Sequence, residues 1–375
     1  MKIGIDCRIY SSKFTGIGRY VYELVHRISK LDQTNQYVLF FNNPEFDEFT
    51  PPANNFKKIL VDAPIYSLKE QTSFLKAINK ENLDLMHFTH FNAPIFYGKP
   101  SIVTIHDLTL SFFPGKKKRS FLHRIGYYLT LRSVVKKAKK VITISENSKK
   151  DLLEITRIPE EKISIIYQGV GEEFAPIKDK KRIESTLGKY KIENPFLLYT
   201  GVWRSHKNIP NLVKAFHMIR SEYGMKKLKL VLTGKEDPFY PEVKDTISNL
   251  GELENVIRPG LVSENELLDL YTAADVYVFP SFYEGFGLPP LEAMACETPV
   301  AASNASSIPE ICGKDSAVFF DPANFKDMAQ NINALLKSTS LQSRLVENGI
   351  KRAKKFTWKQ MAQETYNLYR SCLNN

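Results

Sequence analysis

Two hydrophobic patterns alternate along this chain. Short apolar runs rich in β-branched and aromatic residues read as buried strands: Lys2–Asp6, Tyr37–Phe41, Leu83–Phe88, Ile102–Ile105 and Val141–Ile144 in the first half. Between them lie segments with apolar residues three or four positions apart, the period of an amphipathic helix. A polar, Lys-rich stretch from Gly171 to Lys191 interrupts the alternation and reads as a linker region. The pattern restarts with strands at Phe196–Thr200, Leu228–Thr233, Val276–Phe279 and Val300–Ala302. Helix Pro210–Tyr223 gathers Leu212, Val213, Phe216 and Ile219 on one face, and helix Glu264–Ala274 gathers Leu267, Leu268 and Tyr271. A last helix runs from Thr357 to Leu373. Strands alternating with helices predict an α/β chain built on parallel sheets. No repeat or low-complexity tract breaks the pattern.

At 375 residues the chain exceeds one comfortable core and divides into two domains, 1–175 and 176–356, with 357–375 crossing back to the first. Two such domains create a cleft. Cys7, Cys296, Cys312 and Cys372 lie far apart, without metal-ligand spacing, which fits free thiols in a reducing cytoplasm. Asp6 and Arg8 interrupt the N-terminus before an apolar stretch reaches signal-peptide length, and no apolar run approaches a membrane span. The net charge of +11 sits mainly in the first half, where 26 Lys and Arg face 18 Asp and Glu. Its densest part, 115–140, holds Lys116, Lys117, Lys118, Arg119, Arg124, Arg132, Lys136, Lys137, Lys139 and Lys140 and no acid. Phe121, Ile125, Tyr128 and Leu129 recur there at helical spacing, which predicts one packed and one exposed face. That stretch reads either as a solvated basic surface or as a weak dock on an anionic membrane, worth about 1 kcal/mol per well-placed cation. It carries no nucleic-acid module, so nucleic-acid binding is not expected.

The most informative punctuation follows strand Val276–Phe279. A loop, Phe282-Tyr283-Glu284-Gly285-Phe286-Gly287-Leu288, leads into a helix opening with Pro289-Pro290, a helix-start signal. Strand, glycine loop and helix in that order place Glu284 and Glu292 at the carboxyl edge of a parallel sheet, where open α/β proteins bind ligands. Gly285 and Gly287 let backbone amides approach a ligand, and the helix start favours a diphosphate. An ionised carboxylate only accepts hydrogen bonds, so Glu284 and Glu292 suit the hydroxyls of a sugar and a ribose. A second strand-to-helix junction carries Gly201, Arg204, His206, Lys207 and Asn208. His106 ends strand Ser101–Ile105 at another carboxyl edge. Gly16 and Gly18 suggest a dinucleotide fingerprint, but Val21 occupies the position that G-x-G-x-x-G/A requires to be small.

The run E-G-F-G-L-P-P-L-E-A-M-A from Glu284 to Ala295 resembles the E-x7-E motif of the retaining GT-B glycosyltransferases of family four, and the similarity spans nearly the whole chain. Thr15-Gly16-Ile17-Gly18-Arg19-Tyr20 resembles the N-terminal glycine loop of bacterial mannosyltransferase-like members. His106-Asp107, Ile144-Ser145-Glu146-Asn147-Ser148, Gly169-Val170, Gly201 with Lys207-Asn208, and Ser306-Ser307-Ile308-Pro309-Glu310 follow in the family's order. The resemblance implies a GT-B fold, two Rossmann-like domains with an interdomain cleft. It implies catalytic roles for His106, Glu284 and Lys207, and a donor site of Gly16, Gly18, Arg204, His206, Lys207, Val262, Glu284, Gly285, Phe286, Gly287, Leu288 and Glu292. Lys207 binds the donor diphosphate, with Arg204 or His206 as the second phosphate ligand where many relatives carry an Arg immediately before the Lys. Glu297 stands where relatives often have Gly.

The implied reaction is retaining transfer of a hexose from a nucleotide sugar, GDP-mannose favoured, to a glycan or lipid-linked acceptor in polysaccharide or O-antigen synthesis. The implied mechanism is front-face attack with the leaving phosphate assisting deprotonation. No D-x-D sequence occurs, so transfer without a metal or other cofactor is expected. The expected location is the cytoplasm, at the inner face of the membrane if the basic stretch docks. A sugar-nucleotide epimerase of the same fold and a non-catalytic nucleotide-sugar-binding protein are the competing readings.

Overall fold

A computed structural model describes residues 1–11, 16–115 and 121–373. Thr15 of the glycine motif and Lys116 to Arg119 of the basic stretch lie outside the described residues. The chain forms two compact units, Met1–Leu108 with Lys118–Gly169 and Thr357–Asn375, and Thr109–Lys117 with Val170–Phe356. The main division thus falls at Gly169/Val170, six residues before the boundary expected from sequence, and a short segment from the first half of the chain groups with the second unit.

The first unit is built on a seven-stranded sheet: β1 (Lys2–Asp6), β2 (Gln36–Phe41), β3 (Phe56–Leu60), β4 (Leu85–Phe88), β5 (Ser101–Ile105), β6 (Lys140–Thr143) and β7 (Ile163–Ile165). The strands are parallel, in the order β3-β2-β1-β4-β5-β6-β7. The second unit holds six: β8 (Phe196–Thr200), β9 (Lys229–Thr233), β10 (Val256–Gly260), β11 (Val276–Phe279), β12 (Val300–Ser303) and β13 (Val318–Phe320). These are also parallel, ordered β10-β9-β8-β11-β12-β13. In each sheet the chain winds outward in one direction, returns to its first strand and winds the other way. That reversal leaves a crevice at the carboxyl ends of β1 and β4 in one unit and of β8 and β11 in the other, the place where doubly wound sheets receive ligands.

All nine strands expected from sequence are present, and the four that were not expected, β3, β7, β10 and β13, are the four sheet edges. Interior strands are covered on both faces and therefore read as unbroken apolar runs. Two edge strands are not: Phe56-Lys57-Lys58-Ile59-Leu60 places two lysines in the run, and Val256-Ile257-Arg258-Pro259-Gly260 closes on an arginine, a proline and a glycine; the other two, β7 and β13, have only three residues each.

The helix Ile209–Ser221 buries Leu212, Val213, Phe216 and Ile219, the face its period predicts, each worth about 1.5–3 kcal/mol of transfer free energy. The expected linker at 171–191 instead contains a helix, Lys180–Tyr190, capped by Asp179, whose side chain accepts from the amides of Lys181 (3.0 Å) and Arg182 (3.2 Å). Its lysine-rich sequence still carries a short apolar stripe, Ile183, Leu187 and Tyr190 at i, i+4 and i+7, and polar contacts add to the hold on its neighbour. Thr186 donates to Asp269 at 2.7 Å and Arg182 pairs with the other oxygen of that carboxylate at 2.8 Å. The C-terminal helix, Trp358–Leu373, belongs to the first unit, where Tyr369 is fully buried and its hydroxyl lies 2.6 Å from His87 Nδ1. In the basic helix Phe121–Lys137, Ile125 and Leu129 are not the packed face that their spacing predicts: they are 40% and 64% exposed.

Candidate active site

In the second unit the crevice lies between the loops that follow β8 and β11. The ends of β8 and β9 approach so closely that only glycine fits. Gly201 and Gly234 have φ of +147° and +113°, and a Cβ built on Gly234 would lie 2.1 Å from the Gly201 carbonyl oxygen. The bare backbone keeps this rim low. Gly201 was singled out in the sequence; Gly234 was not, although Thr233-Gly234 repeats the Thr200-Gly201 ending one strand away.

The two crevice loops are tied together. The Phe282 amide donates to the His206 carbonyl at 2.8 Å, and Asn208 Nδ2 donates to the carbonyls of Pro280 (3.0 Å) and Pro322 (2.7 Å). Asn208 has φ +58°, a left-handed conformation that asparagine tolerates, and it turns the chain from a short 3-10 turn, Ser205–Lys207, into helix Ile209–Ser221. That turn projects Lys207 towards Glu284, with Nζ 2.6 Å from Oε1. Both side chains keep partial access to solvent, 20% and 14%. The pair links the two motifs that carry the sequence argument.

The Glu284 loop is held from behind by the following motif. Ser306 donates to the Glu284 carbonyl at 2.8 Å, and the Ser307 hydroxyl lies 2.9 Å from the carbonyls of both Glu284 and Phe286. Gly287, with φ +112°, then opens helix Leu288–Ala295, whose first amides face the crevice end of the sheet. The Phe286 ring does not face outward. It is buried, edge-on to Phe356 at 5.6 Å, which leaves only its backbone to face a ligand. Gly285 is buried, and Leu288 is half-buried at the helix start. Glu292 lies one turn into the helix, where the Tyr271 hydroxyl donates to its Oε2 at 3.0 Å. Tyr271 in turn lies 3.2 Å from the Thr200 hydroxyl, which lies 3.0 Å from Tyr277. Burial and the neighbouring Glu292 charge keep the Tyr271 phenol protonated well beyond its usual range.

Of the two candidates for a second phosphate cation, His206 is buried, with its ring 6.0 Å from that of Phe113. Arg204 is exposed on extended backbone (φ −141°, ψ 160°) at the mouth of the turn. Val262 is half-buried in the loop after the edge strand β10.

Two of the expected glycines and the expected histidine lie in the first unit. Gly16 and Gly18 are not in a loop but in the first turn of helix Gly16–Leu31, Gly16 exposed and Gly18 buried. His106 follows β5, buried, with its Nε2 donating to the Thr89 carbonyl at 2.9 Å and its Nδ1 accepting from Gln168 Nε2 at 3.2 Å. Burial lowers its pKa to about 4, so the ring is neutral near pH 7 with both nitrogens engaged. This arrangement suits a fixed hydrogen-bonding wall rather than a proton shuttle. Gln168, 62 residues away in sequence, gave no signal of its partnership.

The crevice between β1 and β4 holds a residue the sequence argument missed altogether. Arg8 uses all five of its donor positions: two on Asp6 (2.9 and 2.8 Å), one on Glu70 (3.0 Å), and one each on the carbonyls of Ala63 (3.3 Å) and Asn92 (2.9 Å). Its guanidinium lies 3.9 Å from the centre of the Phe74 ring, and its side chain is 1% exposed. Burial raises the Glu70 pKa despite the arginine beside it.

Comparison with known proteins accords with this architecture. Residues 14–174 match the family Glycosyltransferase Family 4, and residues 180–352 match Glycosyl transferases group 1. The O-antigen chain mannosyltransferase B of Escherichia coli is 28% identical, over 99% of this chain and 100% of that protein. The serotype-specific mannosyltransferase WbdA of Escherichia coli is 30% identical over 62% of this chain, which corresponds to 29% of its own length. Anabaena HepE, solved in complex with UDP and glucose, superposes with a TM-score of 0.78 at 17% identity, covering 99% of this chain and 100% of that one. Two family matches that between them span both units, and a fold shared over the full length, make this chain a member of the group 1, family four glycosyltransferases with the GT-B fold.

Proposed function

We propose that this glycosyltransferase moves mannose from GDP-mannose, with retention and without a metal, to a glycan or lipid-linked acceptor in cell-surface polysaccharide synthesis at the cytoplasmic side of the membrane. The observation that carries the reading is the Lys207–Glu284 pair, a partly exposed cation and carboxylate beside a helix start at the sheet crevice. Bound GDP-mannose brings a diphosphate for Lys207, with Arg204 as the second cation and the amides around Gly285 to Leu288 as further donors. Glu284, released from Lys207, accepts from sugar hydroxyls, and Glu292, oriented by Tyr271, accepts from the ribose. Val262 flanks the nucleotide. The mannosyltransferase names of relatives in O-antigen synthesis favour mannose, and the four buried free thiols suit a reducing compartment.

In the reaction the bond between C1 of the sugar and the β-phosphate oxygen breaks while the acceptor oxygen bonds to C1 from the same face. The acceptor proton passes to the departing β-phosphate. Lys207 and Arg204 stabilise the negative charge that grows on GDP, so fixed cations take the part a divalent ion plays elsewhere.

The test is incubation with GDP-mannose, GDP-glucose, UDP-glucose and UDP-galactose, with and without EDTA, against a panel of mannosylated and lipid-linked acceptors. Transfer from GDP-mannose alone, insensitive to EDTA and giving an α-linked product by NMR, is expected. Transfer from a UDP-sugar, a β-linked product, or metal rescue of an EDTA-treated enzyme would each refute the corresponding part. Interconversion of free nucleotide sugars would point to an epimerase.

A further inference from the structure

The segment 109–115 continues in sequence from β5 through His106-Asp107-Leu108, yet it groups with the second unit. It opens with a single helical turn, Thr109–Phe112, after which the Phe113 amide donates to the Thr109 carbonyl at 2.6 Å, and it reaches Gly115 at φ +66°. Ring contacts join it to that unit. Phe112 lies 5.1 Å from Tyr283, and Phe113 lies 6.0 Å from His206, 6.4 Å from Phe282 and 6.5 Å from Tyr283, centre to centre. At the far end, a Cβ built on Gly115 would lie 3.4 Å from the Tyr240 hydroxyl. Tyr240 belongs to the loop after β9, His206 to the loop after β8, and Phe282 and Tyr283 to the loop after β11. The segment is therefore a strap across the carboxyl ends of three strands that stand side by side in the sheet, β9-β8-β11.

The places it touches bear on the Lys207–Glu284 pair. His206 immediately precedes Lys207 and Tyr283 immediately precedes Glu284, so Phe113 meets the chain neighbour of each partner. It does so where the Phe282 amide donates to the His206 carbonyl at 2.8 Å. Phe112 gains little burial for itself, at 47% exposed, and lies against Tyr283, which is 7% exposed. On the proposed reading, donor binding replaces the contact between Lys207 and Glu284 and so removes one of the ties between their loops. The phenyl rings carry no charge and take no part in that exchange.

We propose that Phe113, assisted by Phe112, is a positioning residue of the donor site: its ring holds the Lys207 turn and the Glu284 loop at the spacing that receives a diphosphate and a sugar once the two charges have parted. The two loops thus draw a support from the first half of the chain. The proposal rests on the assignment of the Lys207–Glu284 pair to the donor.

The test is calorimetric titration of GDP-mannose into the full chain carrying Phe113→Ala, Phe113→Tyr, Lys207→Met, or Phe113→Ala together with Lys207→Met, with an unfolding curve on each. Phe113→Ala is expected to weaken binding about five-fold, the scale of an aromatic contact, and Phe113→Tyr, which keeps the ring, to bind as wild type. A residue that acts through Lys207 has no lysine to position in the Lys207→Met protein, so there Phe113→Ala is expected to weaken binding by less than about two-fold. A merely structural role predicts the same factor in both backgrounds. Equal factors, or wild-type affinity in Phe113→Ala, overturn the proposal. If Lys207→Met binds weakly and Phe113→Ala normally, the strap alone fails; if Lys207→Met itself binds as wild type, the donor assignment fails and the strap proposal with it. If Phe113→Ala does not fold, Phe112→Ala takes its place, because a ring that is 47% exposed is removed with little loss of stability. Binding weakened about two-fold or more in Phe112→Ala, and only while Lys207 is present, supports the proposal; unchanged binding overturns it.

Discussion

The two units carry the same crevice and fill it in opposite ways. Between β1 and β4 an arginine is surrounded by two carboxylates and two carbonyls until no donor remains, and the cluster is closed to solvent. Between β8 and β11 a lysine and a glutamate meet at one short contact, part of each still open. The first arrangement is fully satisfied, so a ligand has nothing to gain from it. In the second, the lysine has spare donors and the glutamate a spare oxygen, so a diphosphate and a hydroxyl can each replace the internal partner without leaving a buried group unpaired. On the proposed reading, a shared topology yields structure at one crevice and the donor site at the other, according to whether the charges there are used up.

The largest expected effect separates the two by stability. Arg8→Met leaves Asp6 and Glu70 buried without a counter-charge and is expected to cost about 3–5 kcal/mol, read from urea unfolding or from loss of soluble protein. If Arg8→Met unfolds within 1 kcal/mol of wild type, roughly the worth of a surface pair, the contrast is broken.

The next effect separates them by activity. Lys207→Met is expected to lower kcat/KM by about 10²–10³ while changing stability by only about 1 kcal/mol. Steady-state transfer and an unfolding curve on the same preparation check both halves.

Acid sharpens the comparison from another direction. His106 has a folded-state pKa of about 4 against an unfolded value of about 6.5, so between these pH values the unfolded chain binds more protons. Its contribution is complete above pH 6.5 and is lost as pH falls towards 4, on the order of 2–3 kcal/mol by pH 4.5. His87, buried and lowered to about 3, acts in the same sense. Unfolding free energies at pH 7 and pH 4.5 should fall less steeply in His106→Gln than in wild type; parallel losses would show that this histidine is not the titrating group.

Smaller effects test how the open crevice is supported. Tyr271→Phe removes the hydroxyl that orients Glu292 and is expected to raise the donor KM about five-fold, the worth of about 1 kcal/mol, with little change in kcat. A fall in kcat at constant KM would place Glu292 in the chemical step. Smallest is Glu297→Gly. Glu297 has φ +64° at the end of its helix, so glycine there is expected to stabilise by a few tenths to 1 kcal/mol and to raise Tm slightly. The identity of that residue was flagged in the sequence; the backbone reason for it needed coordinates.

That distinction runs through the molecule. Buried strands and amphipathic helices announced themselves because burial on both faces, or on one stripe, writes a period into the sequence. The edge strands did not, because β3 and β10 carry charged residues in their runs and β7 and β13 are only three residues long; the short stripe Ile183, Leu187 and Tyr190 of helix Lys180–Tyr190 was hidden among its lysines. At the site, Lys207 and Glu284 were legible because each follows a strand and precedes a helix, a local arrangement that fixes the sheet edge. Their contact across 77 residues was not legible, nor was the support of Glu284 by Ser306 and Ser307 or of Glu292 by Tyr271. Arg8 escaped notice because its partner Glu70 is 62 residues away and neither sits in a recognisable motif.

The central claim, that the crevice of the second unit is the donor site and that of the first is not, is tested most directly by calorimetric titration of GDP-mannose into wild type and Lys207→Met. Saturable binding by wild type, weakened at least ten-fold in a Lys207→Met protein of unchanged Tm, is the predicted result. Equal affinity in the two proteins would contradict it.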